Sequence, residues 1–241
     1  MSKIIIPARL ESKRLPRKPL IEINGNPMII LTAQNAIKAV GRENVFVATD
    51  SKEIENTCFF NDVNCLLTSK KCLTGTDRVI EAANKLSFNS FYNLQGDEPL
   101  FPPEVIKNFI NQTSDSEYPV DIGITKIKNL NELKSSKIPK IVFNNKKELL
   151  YTSRANIPGS KKMDNFIGYK QVCIYKYNSK RLKDYFKIKE KTFFENIEDL
   201  ELLRMLEIGI KVKCRYLDYH EHFSIDTPED LKNLKNYLNK R

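Results

Sequence analysis

Five cations fall within ten residues near the start of the chain: Arg9, Lys13, Arg14, Arg17 and Lys18. They occupy a loop that begins after Pro7 and is broken again at Pro16. The run before it, Ile4-Ile5-Ile6, is short, apolar and β-branched, which predicts a buried strand. Arginine forks and lysine point charges at a strand's C-terminal end suit a polyphosphate, since open α/β sheets bind their ligands at that edge. A solvated basic turn satisfies the same composition. Two acidic loops bear on the choice. Gly96-Asp97-Glu98-Pro99 sets a carboxylate between a glycine, which permits close approach, and a rigid proline. Ser224-Ile225-Asp226-Thr227-Pro228-Glu229-Asp230 presents another, although Asp226 or Thr227 ahead of Pro228 is also ordinary helix-start chemistry. Together the three loops suggest nucleotide transfer. The cations would hold a triphosphate, and Asp97 and Asp226 would hold Mg²⁺, which usually takes one or two carboxylates plus substrate phosphates. Chemistry at phosphorus then needs mainly positioning and charge neutralisation.

Such loops require strands to carry them. Asn24-Gly25-Asn26-Pro27 is a turn signal, with Pro27 suiting the first turn of a helix to about Val40. A second strand is expected over Asn44–Ala48, a Ser51-capped helix from Lys52 to about Phe60, and a third strand over Asn64–Leu67. The loop from Leu73 to Val79 opens a helix to about Leu86, Ser90–Leu94 is a central strand, and another helix follows Pro102-Pro103. This alternation predicts βαβ units and a mainly parallel sheet. Right-handed crossovers bring the loops after strands one, three and four to one edge.

Beyond residue 120 the pattern changes. Asp121–Lys126, Pro139–Phe143 and Glu148–Thr152 read as strands, the last two joined by the turn Asn144-Asn145-Lys146-Lys147. The expectation is one domain over residues 1–241, with a β-hairpin excursion at about 121–154 that carries a dimer contact or part of a substrate pocket. Tyr169–Tyr177 returns as a strand, Glu198–Glu207 has helical spacing with Gly209 as a stop, Lys211–Tyr216 is a last strand, and Pro228 opens the final helix.

Composition narrows the function classes. The chain has 241 residues, 41% hydrophobic and 29% charged, which is ordinary for a globular protein. No apolar run approaches a membrane span, and the N-terminus lacks the layout of a signal peptide, so a cytoplasmic protein without a membrane partner is expected. Five cysteines without a CxxC pair read as small buried hydrophobes. His220 and His222 make a poor metal site. The net charge of +10 admits nucleic acid or phosphorylated small molecules as partners. The cations are scattered among acids with no interleaved aromatic motif, and the basic tail Lys232–Arg241 reads as a solvated helix face, so no nucleic-acid partner is expected.

Taken in order, Ile6-Pro7-Ala8-Arg9, Ser12, Arg14-Leu15-Pro16, Lys18-Pro19-Leu20, Thr74-Gly75-Thr76-Asp77-Arg78, Gln95-Gly96-Asp97-Glu98-Pro99 and Asp226-Thr227-Pro228-Glu229-Asp230 closely resemble the CMP-Kdo synthetases, the 3-deoxy-manno-octulosonate cytidylyltransferases. The resemblance runs essentially end to end. It implies a three-layer α/β nucleotidyltransferase sandwich with a mainly parallel mixed sheet, a homodimer, CTP as donor and Mg²⁺ as cofactor. It also implies roles. Ala8, Arg9, Arg14 and Lys18 would line the CTP base and phosphates, with Lys18, Arg14 and Asp97 at the chemistry, and Gly75 and Arg78 would recognise the cytidine. Asp97 and Asp226 would be the metal ligands. Gln95 would lie near the sugar acid and Arg154 would face its carboxylate. Tyr175 and Glu201 would complete the acceptor pocket, with Gln171 standing on the same strand.

Three departures from the family pattern stand out. The family usually has glycine where this chain has Arg17. Its His-x-Gly-x-Tyr strand appears as Gln171-Val172-Cys173-Ile174-Tyr175, and its late Glu-Gln pair as Glu201-Leu202. The last two fall on the acceptor side. The expected activity is therefore transfer of CMP to Kdo or a close relative, for lipopolysaccharide or capsule synthesis. An amino-substituted Kdo, a sialic-type acid or a polyol phosphate is the alternative acceptor. A non-catalytic protein binding a nucleotide or nucleic acid is the alternative class.

Overall fold

A computed structural model describes residues 2–12, 14–159, 161, 168–182, 185–219 and 223–240. Lys13, His220 and His222 lie outside the described residues. The chain divides into two compact units, one of residues 1–107 with 221–241, the other of residues 108–220.

The first unit is built on a parallel sheet. Strand β1 (Ile4–Ala8) is buried along its whole length, as a strand covered on both faces must be. A small hairpin follows, β2 (Glu22–Ile23) and β3 (Asn26–Pro27). Its turn is Asn24-Gly25, both at positive φ, which is the backbone a two-residue hairpin needs. Pro27 therefore ends a strand and caps helix α1 (Met28–Val40) rather than opening its first turn. Next come β4 (Val45–Thr49), α2 (Lys52–Phe60), β5 (Cys65–Leu67), α3 (Gly75–Lys85) and β6 (Ser90–Leu94), and then α4 (Pro103–Thr113), within which the first unit ends at residue 107. The Ser51 side chain caps α2 as expected, accepting from the Ile54 amide at 3.4 Å.

Strand β1 pairs in parallel with β4 on one side and β6 on the other, and β4 pairs with β5, giving the order β6-β1-β4-β5. The chain moves outward from β1 to β5 and then crosses back to β6. That reversal makes the carboxyl ends of β1 and β6 the topological switch point, where open α/β sheets place their ligands.

The second unit holds a mixed sheet: β7 (Val120–Lys126), β8 (Lys140–Phe143), β9 (Leu149–Ser153), β10 (Tyr169–Asn178) and β11 (Val212–Tyr216). Between β7 and β8 lies a short helix, α5 (Leu130–Lys134), capped by Asn129. β10 runs antiparallel to β7 and β8, β8 pairs with β9, and β11 runs parallel to β7. In the β8–β9 turn the Asn144 side chain accepts from the amides of Lys146 and Glu148, both at 2.9 Å. The helix expected over Glu198–Glu207 begins at Glu201 as α7 (Glu201–Glu207), because Asp199 is left-handed and ends a separate helix, α6 (Phe193–Glu198), that the sequence reading did not place. The final helix, α8 (Pro228–Leu238), returns to the first unit.

A few of the cations are internal. In the second unit the Lys140 ammonium donates to the carbonyls of Ser135, Ile138 and Arg154 at 2.6–2.9 Å. Lys170 pairs with Glu132 at 2.8 Å, and the fully buried Arg204 makes a two-pronged pair with Glu195. Cations spent this way form no surface for a polyanion. The described cysteines are free thiols. Burial raises Cys214 to about 12, and burial with a bond to Glu81 raises Cys72 to about 12, so neither is a thiolate near neutrality.

Candidate active site

Lys18 organises the switch point of the first unit. Its ammonium donates to Asp97 Oδ2 at 2.8 Å and to Asp226 Oδ1 at 2.9 Å, and Arg14 Nη2 reaches the same Asp226 oxygen at 3.0 Å. The three sequence loops thus meet at one ammonium. The lysine side chain is 16% exposed. Burial pulls its pKa down, but the charges and hydrogen bonds of Asp97 and Asp226 outweigh this and leave it above the ordinary 10.5.

Each partner is placed by local backbone chemistry. Lys18 opens a single 3₁₀ turn, Lys18–Leu20, entered from Arg17 at φ 56° and ψ 28°. That left-handed backbone costs a non-glycine residue roughly 1–2 kcal/mol. The basic loop is not a free solvated turn, because Leu15 is buried in an apolar cluster with Ile23, Met28, Ile225 and Leu234. Asp97 follows Gly96, where a Cβ would stand 2.7 Å from the Pro7 carbonyl oxygen, so only glycine lets the β6 loop lie against the end of β1. The cap of α8 is Thr227, whose hydroxyl accepts from the Asp230 amide while the Asp230 carboxylate accepts from the amides of Thr227 and Asp226. Asp226 is therefore not spent as a cap, and its carboxylate turns to Lys18. The Ile225 amide donates to the Asp97 carbonyl at 3.0 Å and stitches the two acidic loops together.

The residues expected on the nucleotide side share this unit. Ala8 is buried at the end of β1, and Arg9 is exposed beyond it. Gly75 is the first residue of α3, behind the Thr74 cap. Arg78 is buried, donating to Thr68 Oγ1 at 2.6 Å and to Asp50 Oδ2 at 2.8 Å. Thr68 donates in turn to the Thr49 carbonyl at 3.0 Å. Asp50 and Thr68 thus fix Arg78 between the ends of β4 and β5. The sequence reading missed both, for a pair 28 residues apart leaves no local pattern.

Of the residues expected on the acceptor side, Gln95 belongs to the first unit and Arg154, Gln171, Tyr175 and Glu201 to the second. Arg154 donates to the carbonyls of Glu198, Ser136 and Asp199 at 2.6–3.2 Å, tying the end of β9 to the α6–α7 junction. Gln171 Nε2 donates to the Tyr175 hydroxyl, and its own Oε1 is buried without a hydrogen-bond partner. The register of β10 slips between Val172 and Tyr175, a bulge that the sequence did not announce. Burial, with Cys173, Tyr177 and Glu201 nearby, pushes the Tyr175 hydroxyl well above the usual range. Leu202 is a core residue of α7.

Two loop carboxylates sharing one cation fit a divalent metal that completes its shell with phosphate oxygens. Among the described residues no group of three or more His, Cys, Asp or Glu side chains is placed to cage a metal. Mg²⁺ on a nucleotide needs no such cage, since substrate phosphates complete its shell.

A parallel βαβ half whose basic and acidic loops meet at its switch point is the architecture of a nucleotidyltransferase. Solved structures agree. Residues covering 99% of the chain superpose on 98% of a CMP:2-keto-3-deoxy-manno-octonic acid synthetase complexed with CTP, with a TM-score of 0.89 and 30% identity. An inositol-1-phosphate CTP transferase from T. maritima, at 19% identity and a TM-score of 0.70 over 100% of this chain and 96% of that one, shares the fold. A family model described as cytidylyltransferase matches residues 3–212. The chain belongs to the cytidylyltransferase family. It is 37% identical to a 3-deoxy-manno-octulosonate cytidylyltransferase of Polynucleobacter necessarius subsp. necessarius, over 98% of this chain and 94% of that protein. It is also 35% identical to an 8-amino-3,8-dideoxy-manno-octulosonate cytidylyltransferase of Shewanella pealeana, over 95% of each.

Proposed function

We propose that the protein transfers CMP from CTP to the C2 hydroxyl of 3-deoxy-manno-octulosonate or a close relative, releasing pyrophosphate. The observation that carries this reading is the Lys18 ammonium between Asp97 and Asp226 at the switch point. The acceptor oxygen forms a bond to the α-phosphorus, the bond to the β-phosphate bridge breaks, pyrophosphate leaves with its electron pair, and the hydroxyl proton passes to water. Arg9, Arg14 and Lys18 bind the triphosphate, and their charge counts for most as it gathers on the leaving group. Asp97 and Asp226 would hold Mg²⁺, which when bound neutralises phosphate charge as a Lewis acid. Gly75 lies at the start of α3, and Asp50 and Thr68 keep Arg78 rigid, so the cytidine side is set before the nucleotide arrives.

A second acceptor has its own support. The buried, unpartnered Oε1 of Gln171 accepts hydrogen bonds, which suits an amino-substituted sugar acid as a donor. We also propose a homodimer formed through the second unit, where Leu150 of β9 and Phe193, Phe194 and Ile197 of α6 are exposed. The product would serve lipopolysaccharide or capsule synthesis in the cytoplasm. No helix among the described residues is long and apolar enough to cross a membrane.

The test is pyrophosphate release from CTP with Mg²⁺ across Kdo, 8-amino-Kdo, a sialic acid and a polyol phosphate. Turnover with one of the two octulosonates, and little with the others, is expected. Release with none of the four, or only with a polyol phosphate, would overturn the reading.

A further inference from the structure

Arg17 is a non-glycine residue at φ 56° in the loop that delivers Lys18, a backbone that glycine adopts without cost. Its side chain is not buried. The guanidinium, 59% exposed, pairs with the Glu53 carboxylate, 45% exposed, in the first turn of α2. A pair this exposed is weak, because water screens it and two long side chains must be held still. Stability therefore does not account for an arginine at this position.

Location does. Arg17 adjoins Lys18, and it carries five donors in a planar fork at the mouth of the basic loop. We propose that Arg17 is a triphosphate-binding residue parked on Glu53. Without nucleotide, Glu53 holds the guanidinium aside through Nη2; bound CTP takes it over, exchanging this single carboxylate contact for phosphate oxygens that the fork can bind in two-pronged fashion. Both side chains are open enough to part by rotation alone. Glu53, once released, keeps a favourable place in the first turn of α2, where the helix dipole favours negative charge. Glu53 then acts as an internal competitor that sets how tightly the loop takes CTP. This rests on the cytidylyltransferase reading of the site.

Competition and simple bracing predict opposite signs for Glu53. Arg17→Gly, which suits the backbone, should weaken CTP about tenfold without lowering the melting temperature, as expected for loss of one charged ligand. Glu53→Gln should tighten CTP roughly threefold by freeing the arginine, and should change nothing in an Arg17→Gly background. Calorimetric titration of the full chain with CTP, acceptor withheld, and separately with pyrophosphate, reads both. An unchanged affinity in Arg17→Gly, or a weakened one in Glu53→Gln, overturns the proposal alone. A wild-type protein that does not bind CTP overturns the functional reading with it.

Discussion

Gly96→Ala is the sharpest probe of how the acidic loop is placed. The added methyl would stand 2.7 Å from the Pro7 carbonyl oxygen and 3.1 Å from Ile29 Cδ1, where ordinary contact begins at 3.4 Å. The Ile29 methyl can turn away. The Pro7 carbonyl belongs to β1, held in register between β4 and β6, so the loop after β6 must retreat by about 0.7 Å, the gap between 2.7 and 3.4 Å. The next residue is Asp97. A displacement approaching 1 Å at a reacting group costs about a hundredfold, so kcat/KM for CTP should fall roughly 30- to 100-fold. Overpacking costs roughly 1–3 kcal/mol, which in a chain of this size lowers Tm by about 2–12 °C. The control is Gly159→Ala, where nothing lies within 4 Å of the new methyl. Activity followed by pyrophosphate release and Tm by calorimetry should separate the two variants. If Gly96→Ala kept wild-type kcat/KM, the close approach would not position Asp97 and the reasoning would fail.

Asp97→Asn and Asp226→Asn should each lower turnover about a thousandfold or more at saturating Mg²⁺ with the circular dichroism spectrum unchanged; near-normal turnover in either removes that residue from the mechanism. Glu195→Ala leaves the fully buried Arg204 without its carboxylate and should cost about 3–5 kcal/mol, read as a lower urea midpoint; an unchanged midpoint would show that the pair does not hold α6 to α7. Light scattering should give twice the 28.0 kDa chain mass, and a 28.0 kDa particle at micromolar concentration would end the homodimer proposal.

The parts of this fold that were legible in the sequence are those with a local signature. The isoleucine run, the Ser51 cap and the Asn24-Gly25 turn each carry their physics within a few residues, and the structure realises them as written. The meeting of the basic loop with the Gly96–Pro99 loop was legible because strand alternation and crossover handedness are enough to bring those strand ends to one edge, whereas the Asp226 loop was singled out only by its chemistry and by the family resemblance. What escaped depends on distant partners or single torsions. Asp50 and Thr68 matter only because Arg78 lies between them. The β10 bulge is set by pairing with β7, and α6 with its stop at Asp199 depends on one left-handed residue and a Thr192–Glu195 capping box that the sequence reading did not pick out. The role of Asp226 was ambiguous in sequence because Thr227 beside it is an equally good cap, and hydrogen bonds decide between them.

The first unit is discontinuous: residues 1–107 are completed by 221–241. During synthesis the early segment can assemble its four parallel strands while the ribosome is still making the second unit. In that interval Lys18 has Asp97 as a neighbour but not Asp226, which lies 208 residues downstream, and Leu15 and Met28 lack Ile225 and Leu234 against them. Closing so long a loop costs little more than closing one half its length, since the entropy grows only with the logarithm of length. Order of synthesis is the larger constraint, because the carboxylate pair exists only after the segment carrying Asp226 has emerged. A truncated product would therefore carry the basic loop, with part of its apolar footing bare and its acidic pair incomplete, and would be a target for degradation before it could become a slow or misdirected catalyst. In this molecule the acidic pair is assembled only once the segment after the second unit has been made.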